Sequence, residues 1–225
     1  MSPVKRRAII TIDGPAGAGK TTIAKMVSRR LGYDYIDTGA MYRAIGWKTI
    51  REKIDLKAKR DVIRMVRNTR VELKKKAGTI RVLLDGKDVT NKIRSKRSAE
   101  AASILGTMPE VREQLVKIQK RVGSSGGIVV EGRDIGTVVF PQANYKFYLD
   151  ASIKERALRK YRELRARGQR EKLAQLEEAI RSRDERDRNR RVAPLKIPPD
   201  ALLIDSTHMS RKEVVDFILT RIEKN

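Results

Sequence analysis

Gly14-Pro15-Ala16-Gly17-Ala18-Gly19-Lys20-Thr21 has the spacing of a phosphate-binding loop, a glycine, four residues, then glycine, lysine and a hydroxyl, with Thr22 immediately after. The glycines let the backbone bend so that successive N–H groups point at one phosphate. A following helix N-terminus adds partial positive charge, and a lysine at position 20 reaches the outer phosphates. Thr21 is the hydroxyl placed to meet Mg²⁺. The alternative is a glycine turn that caps a helix and binds nothing; the lysine, the hydroxyl and the flanking elements favour a nucleoside triphosphate. The motif does not say which reaction follows.

Two further segments offer anion chemistry. Asp37-Thr38-Gly39-Ala40-Met41-Tyr42-Arg43 places Thr38 at a second helix start, with Tyr42 and Arg43 about one turn on. Alone it reads more readily as a threonine N-cap with surface side chains, and its place after the second strand, facing the glycine loop across the sheet edge, is what favours a second anion site. Arg181–Arg191 holds six arginines and three acidic residues, a composition that usually marks a solvated helix face. Arg183, Asp187 and Arg190, however, are spaced i, i+4 and i+7, which on a continuous helix gives one face with two guanidinium forks for a phosphoryl group. Asp187 would hold one fork or a ribose hydroxyl.

The elements that must position these residues alternate between strand and helix. Arg7–Asp13 is an Ile-rich run of buried-strand type that feeds the glycine loop, and a helix runs from the loop to Gly32. Tyr35–Ile36 is a second strand, and helices are expected over Ala40–Lys53 and Lys59–Asn68. From Arg70 to Val89 the period shifts to two, with Asp85-Gly86 as a tight turn, so a small antiparallel meander is expected within an insertion spanning Thr69–Ala101. Thr107, Pro109 and Glu110 suggest a capped helix ending at Gly123. Ile128–Val130, Lys146–Leu149 and Ala201–Ile204 supply three more core strands. Glu131-Gly132-Arg133-Asp134 leaves the first of these as a loop. Ser152 with Glu155, and Ser210 with Glu213, cap the later helices, and Gly168 interrupts the polar helical stretch that continues to about Arg191.

The result is an α/β expectation: a five-stranded parallel sheet flanked by helices, ligands at the C-terminal strand ends, and a smaller inserted lobe. In residue terms, 1–68 and 102–225 form the core, 155–191 a short helical lid within it, and 69–101 the insert. The 225 residues, 40% hydrophobic, can furnish such a core. No apolar run is long enough to cross a bilayer, and Met1–Arg7 leads into a strand rather than a signal segment, so a soluble cytoplasmic protein is expected. The chain has no cysteine, which excludes disulfides and thiolate metal sites. A net charge of +24 favours anionic partners, while only 4% aromatic residues argue against broad base stacking. His208, the single histidine, falls in a polar stretch and is read as solvated. Trp47 and Phe140-Pro141 are read as packing residues.

The phosphate loop, the DTGAMYR segment, PEVR, EGRDIGTVVFP and RDERDRNR, taken together and in this order, resemble the bacterial cytidylate kinases over nearly the whole chain. The resemblance implies a P-loop kinase that uses ATP with Mg²⁺ and phosphorylates CMP or dCMP, acting as a monomer without a stable nucleic-acid partner. It implies that Gly14 to Thr22 hold ATP. Thr38, Gly39, Tyr42 and Arg43 would surround the acceptor's phosphate and ribose, Ser103, Arg112, Arg133 and Asp134 would contact the acceptor, and Ser103, Arg112 and Asp134 would read cytosine. Arg183 and Arg190 would hold phosphate, and Asp187 the acceptor sugar. The chain departs from the common pattern of lysine, small residue, hydroxyl: Lys20 precedes both Thr21 and Thr22, which leaves open which one meets the metal. The alternatives are a kinase for another small acceptor and a basic nucleic-acid-binding P-loop protein, the latter motivated by the net charge and by Lys74-Lys75-Lys76.

Overall fold

The computed structural model describes residues 7–76, 79–166 and 168–224. The signal-segment reading of Met1–Arg7 therefore falls, except for Arg7, outside the described residues, as do the side chains of Lys75 and Lys76. The chain divides into two compact units, one made of residues up to Asp34 together with those from Gly127 onward, the other of Tyr35–Gly126.

In the first unit, β1 (Ile9–Asp13) pairs in parallel with β6 (Ile128–Glu131) and β7 (Tyr145–Asp150), and β7 pairs in parallel with β8 (Leu202–Asp205). The full sheet has the order β2-β6-β1-β7-β8, with β2 (Asp34–Asp37) at the point where the units divide. Its central strands are short apolar runs in which Ile10, Ile12, Val129, Val130, Phe147 and Leu149 are buried, while Leu202 and Leu203 of the edge strand β8 stay exposed. Helix α1 (Lys20–Leu31) packs on β1 and β6 and against α8 (Arg211–Glu223). Parallel register brings the C-terminal ends of β1 and β6 side by side, Ile12 opposite Glu131. The capping box expected for α8 is present, Ser210 and Glu213 each bonding the other's backbone. Helices α6 (Ile153–Arg165) and α7 (Leu173–Asn189) share a small apolar cluster of Ala157, Leu176 and Ile180, joined by Tyr161 and Leu164. Between them lies Gly168, as expected.

The second unit is built on one larger cluster, including Met41, Ile45, Val62, Val66, Leu84, Leu105, Val111 and Leu115. Around it pack α2 (Thr38–Arg51), α3 (Lys59–Arg67), α4 (Lys96–Leu105) and α5 (Pro109–Gly123). The expected meander is β3 (Val71–Lys76), β4 (Thr79–Leu84) and β5 (Lys87–Asp88), antiparallel throughout. Residues 69–101 all lie within this unit.

Four local readings need correction. The N-cap of α2 is Asp37, not Thr38: the Asp37 carboxylate accepts from Ala40 N at 2.9 Å, a bond a carboxylate makes well, and Thr38 is the first helical residue. The N-cap of α5 is Met108, because Thr107 turns its hydroxyl back to the Ile104 carbonyl and finishes the preceding helix. That preceding helix, α4, capped by Ser95, was not anticipated within the insertion. Finally, α7 does not run to about Arg191 but ends at Asn189: Arg190 is its C-cap, with N still bonded to the Arg186 carbonyl at 3.1 Å and ψ extended, and Leu195 N bonds back to the Asp187 carbonyl at 2.8 Å, closing the helix early. Among the described residues no helix is long and apolar enough to cross a membrane.

Candidate active site

The phosphate loop begins where β1 ends. Gly14 has φ +144°, and a Cβ there would stand 2.0 Å from the Leu149 carbonyl oxygen, so only glycine fits this close approach to β7. The loop delivers Lys20 as the first residue of α1, buried, with Nζ donating to the Pro15 carbonyl at 2.6 Å. Burial and then the nearby positive charge of Arg133 push the Lys20 ammonium down to about 7, with Arg183 adding to the effect and Glu131 and Asp13 opposing it. Thr21 is exposed on the first turn of α1 and Thr22 half-buried.

Two carboxylates flank this lysine. Asp13 is fully buried and accepts from Ile135 N at 2.9 Å and Gly136 N at 2.7 Å. Burial raises its carboxyl to about 6, outweighing those two bonds and Lys20, and the Asp134 charge adds to the rise. Its grip on successive N–H groups starts the short π turn Ile135–Val139. Glu131, buried at the end of β6, is the other. Neither was among the anticipated site residues. The available signal was an acidic residue closing an apolar strand run next to the glycine loop.

Around them the anticipated arginines interleave with acids. Asp187 Oδ2 accepts from Arg133 Nε at 3.0 Å, with Arg183 Nε at 4.0 Å. Burial alone would raise Asp187, but the charges of Arg133, Arg183 and Arg190 outweigh it and hold the carboxyl below its usual range. Asp134 and Arg190, both buried, form an ion pair at 3.3 Å. Although Arg190 leaves the helix, it thus stays within the same set of charges as Arg183 and Asp187.

The residues of the second unit that were expected to meet the acceptor are arranged more locally. Asp37 caps α2 with one oxygen and takes Arg43 Nη2 at 2.6 Å with the other. Gly39 sits between them: a Cβ there would be 3.0 Å from Arg43 Nη1. Thr38 is buried at the helix start, and Arg112 on α5 lies over the Tyr42 ring at 6.0 Å from its centroid. Ser103 is buried on α4. The anticipated residues are therefore gathered as two sets, Gly14–Thr22 with Arg133, Asp134, Arg183, Asp187 and Arg190 in the first unit, and Thr38, Gly39, Tyr42, Arg43, Ser103 and Arg112 in the second. His208 is exposed and takes no part in either.

Among solved structures the chain is similar to a gluconokinase from Sinorhizobium meliloti 1021, with a TM-score of 0.52 at 13% identity over 97% of this chain and 93% of that one. It is also similar to an uncharacterized protein from Eubacterium ventriosum ATCC 27560, with a TM-score of 0.53 at 11% identity, covering 97% and 99% of the two chains. At such identities these likenesses speak for the fold alone. Sequence relatives go further. The chain is 45% identical to a cytidylate kinase from Caldanaerobacter subterraneus subsp. tengcongensis over 96% of its own length and 95% of that protein. It is 48% identical to a cytidylate kinase from Pelotomaculum thermopropionicum over 95% of each. With the cytidylate kinase family model matching residues 10–224, the chain belongs to the cytidylate kinase family.

Proposed function

We propose that this protein transfers the γ-phosphoryl group of ATP to CMP or dCMP, giving ADP and CDP or dCDP. The observation that carries the reading is the buried Lys20 of the phosphate loop, set among Arg133, Arg183, Asp13 and Glu131. Family membership supplies the acceptor. A monophosphate is already an anion at neutral pH, so the reaction needs no strong protein base. It needs two polyanions aligned and their charge offset in line with transfer.

In that reading the loop from Gly14 to Thr22 cradles the triphosphate, and Lys20 exchanges the Pro15 carbonyl for the outer phosphates. Thr38, Gly39, Tyr42 and Arg43 hold the acceptor's phosphate and ribose. Ser103, Arg112 and Asp134 read the base, and Arg133 also contacts the acceptor. Arg183 and Arg190 hold the transferring phosphoryl group from a lid spanning about 155–191, and Asp187 contacts the acceptor sugar. Residues 69–101 serve as the inserted part of the acceptor lobe. The hard oxygen donors that Mg²⁺ prefers are present: the Thr21 and Thr22 hydroxyls on the first turn of α1, and the carboxylates of Asp13 and Glu131, whose charges act on Lys20. Thr21 would hold the ion, which when bound would offset the negative charge of the phosphates. The enzyme is read as a cytoplasmic monomer without a stable nucleic-acid partner.

The test is turnover of MgATP with CMP, dCMP, UMP, AMP and GMP in parallel. CMP or dCMP should be used far better than the rest. Equal use of UMP or AMP would reduce the protein to a less selective P-loop kinase, and tight, salt-sensitive RNA binding without turnover would point to a nucleic-acid-binding protein instead.

A further inference from the structure

The peptide of Ala16, inside the phosphate loop, has both of its polar groups taken by side chains from distant parts of the chain. Its N–H donates to Asp184 Oδ1 at 3.2 Å, and its carbonyl accepts from Arg156 Nη1 at 2.9 Å. The same Nη1 meets Asp184 Oδ2 at 2.6 Å, so Ala16, Arg156 and Asp184 close a ring. Arg156 is itself fixed at the start of α6: Nε donates to the Ala151 carbonyl at 2.8 Å, with Asp150 Oδ1 at 3.8 Å. Arg156 and Asp184 are each only 2% exposed. One turn later in α6, Arg159 Nη1 donates to the Ala18 carbonyl at 3.2 Å, so the helix grips the loop at two alternate peptides.

A buried ion pair is weak evidence of a contribution to stability, because apolar side chains of similar volume often do as well. What this pair adds is geometry. Through α6 it joins the two elements whose residues the proposed phosphate chemistry uses: the loop that carries Lys20, and α7, where Asp184 directly follows Arg183 and precedes Asp187 by three residues. The apolar cluster around Ile180 ties α6 to α7. The ring ties both helices to the loop.

We propose that Arg156 and Asp184 are positioning residues. By locking the Ala16 peptide they fix the loop's N–H donors relative to α6 and α7, and so govern triphosphate binding and alignment without touching the substrate. The inference rests on the loop being the ATP site.

The experiment uses the full chain and three variants: Arg156→Met, Asp184→Leu and the double variant. Thermal unfolding is measured first. Calorimetric binding of a non-hydrolysable ATP analogue with Mg²⁺ follows without any acceptor, and steady-state constants for ATP and CMP last. Each single variant leaves one charge buried and should lose both stability and affinity. The double variant, with neither charge left, should recover most of its melting temperature yet still bind the analogue about tenfold more weakly, with KM for CMP within about twofold of wild type. Analogue binding by the double variant within about twofold of wild type would make the ring merely structural and overturn the proposal. Should the double variant fail to fold, Arg156→Leu combined with Asp184→Met, which likewise leaves neither charge, is read in the same way. A wild-type chain that binds no analogue overturns this inference together with the nucleotide reading. Analogue binding by wild type without CMP turnover removes only the acceptor assignment.

Discussion

Around the phosphate loop the functional contacts join residues far apart in the chain, whereas at the start of α2 they join near neighbours. Asp13 takes the N–H groups of Ile135 and Gly136, Arg133 meets Asp187, and Arg156 reaches Ala16. In the second unit, Asp37 takes Ala40 N and Arg43 within two turns of one helix, and the remaining support is the apolar cluster beneath. The first arrangement concentrates charge in a buried place at some cost, visible in a lysine lowered to about 7 and a carboxyl raised to about 6. The second relies on helix packing to aim side chains that are otherwise ordinary. Damage to the first should therefore strike the chemistry, and damage to the second should strike acceptor binding.

The sharpest break in the first region is Lys20→Ala. It removes a charge placed where negative charge gathers in transfer and should lower turnover by roughly three orders of magnitude with the fold intact by circular dichroism. Near-normal turnover in a folded variant would refute the loop assignment. Next in size, replacing Arg183 or Arg190 by methionine should cost about 100-fold or more in turnover and less in ATP affinity, while exposed Arg181 and Arg191 should matter by no more than about threefold. Equal losses at all four positions would reduce the segment to a generic basic patch.

The second region can be broken through packing alone. A Cβ at Gly46 in α2 would stand 2.9 Å from both Ala101 Cβ and the Ser98 carbonyl oxygen of α4. Gly46→Ala should thus destabilise the protein by about 1–3 kcal/mol in denaturant titrations and raise KM for CMP, leaving ATP-analogue affinity unchanged. A variant as stable as wild type would show that α2 and α4 are not held this tightly.

A smaller effect should follow from Lys20's proton. With its folded pKa lowered to about 7, Lys20 sheds its proton as pH rises through that value, whereas a bound polyphosphate favours the charged form. ATP binding above pH 7 should therefore take up a proton, and affinity should fall by up to about tenfold per pH unit until the lysine titrates in the complex too. Calorimetry at pH 8 in buffers of different ionisation enthalpy measures the uptake directly, and Lys20→Ala should abolish it. No buffer dependence in wild type would contradict the lowered pKa.

The same contrast explains what could be read in advance. The glycine loop between β1 and α1, the strands β6, β7 and β8, the meander and the Ser210 capping box depend on short-range patterns, and each was legible. The α2 cap was misassigned by one residue because Asp37 and Thr38 are both good caps and only geometry chooses between them. Helix α4 follows the Arg70–Val89 stretch of strand period and straddles the end of the 69–101 insert, so the boundary drawn there cut across it. The early end of α7 depends on Leu195 bonding back to Asp187 and on Ala193 at φ +49°, which spacing of arginines does not reveal. Asp13 offered only its place at the end of an apolar run, and its partner Ile135 is 122 positions away; the Arg156–Asp184 ring offered nothing, because it meets Ala16 from 140 and 168 positions away.

The central claim is that this chain selects cytosine, and that Asp134 is the carboxylate that accepts from the base's amino group, where uracil offers only an acceptor oxygen. In the structure Asp134 pairs with Arg190, so its removal also takes a partner from the arginine proposed to hold phosphate and should slow turnover of any acceptor. The ratio of kcat/KM for CMP over UMP, measured in wild type and in Asp134→Ala, separates the two roles. The account predicts a strong preference for CMP in wild type and a ratio lowered by about 1–3 kcal/mol, roughly 5- to 150-fold, in the variant. Loss of activity with an unchanged ratio would leave Asp134 as a structural partner of Arg190 and contradict the cytosine-reading role.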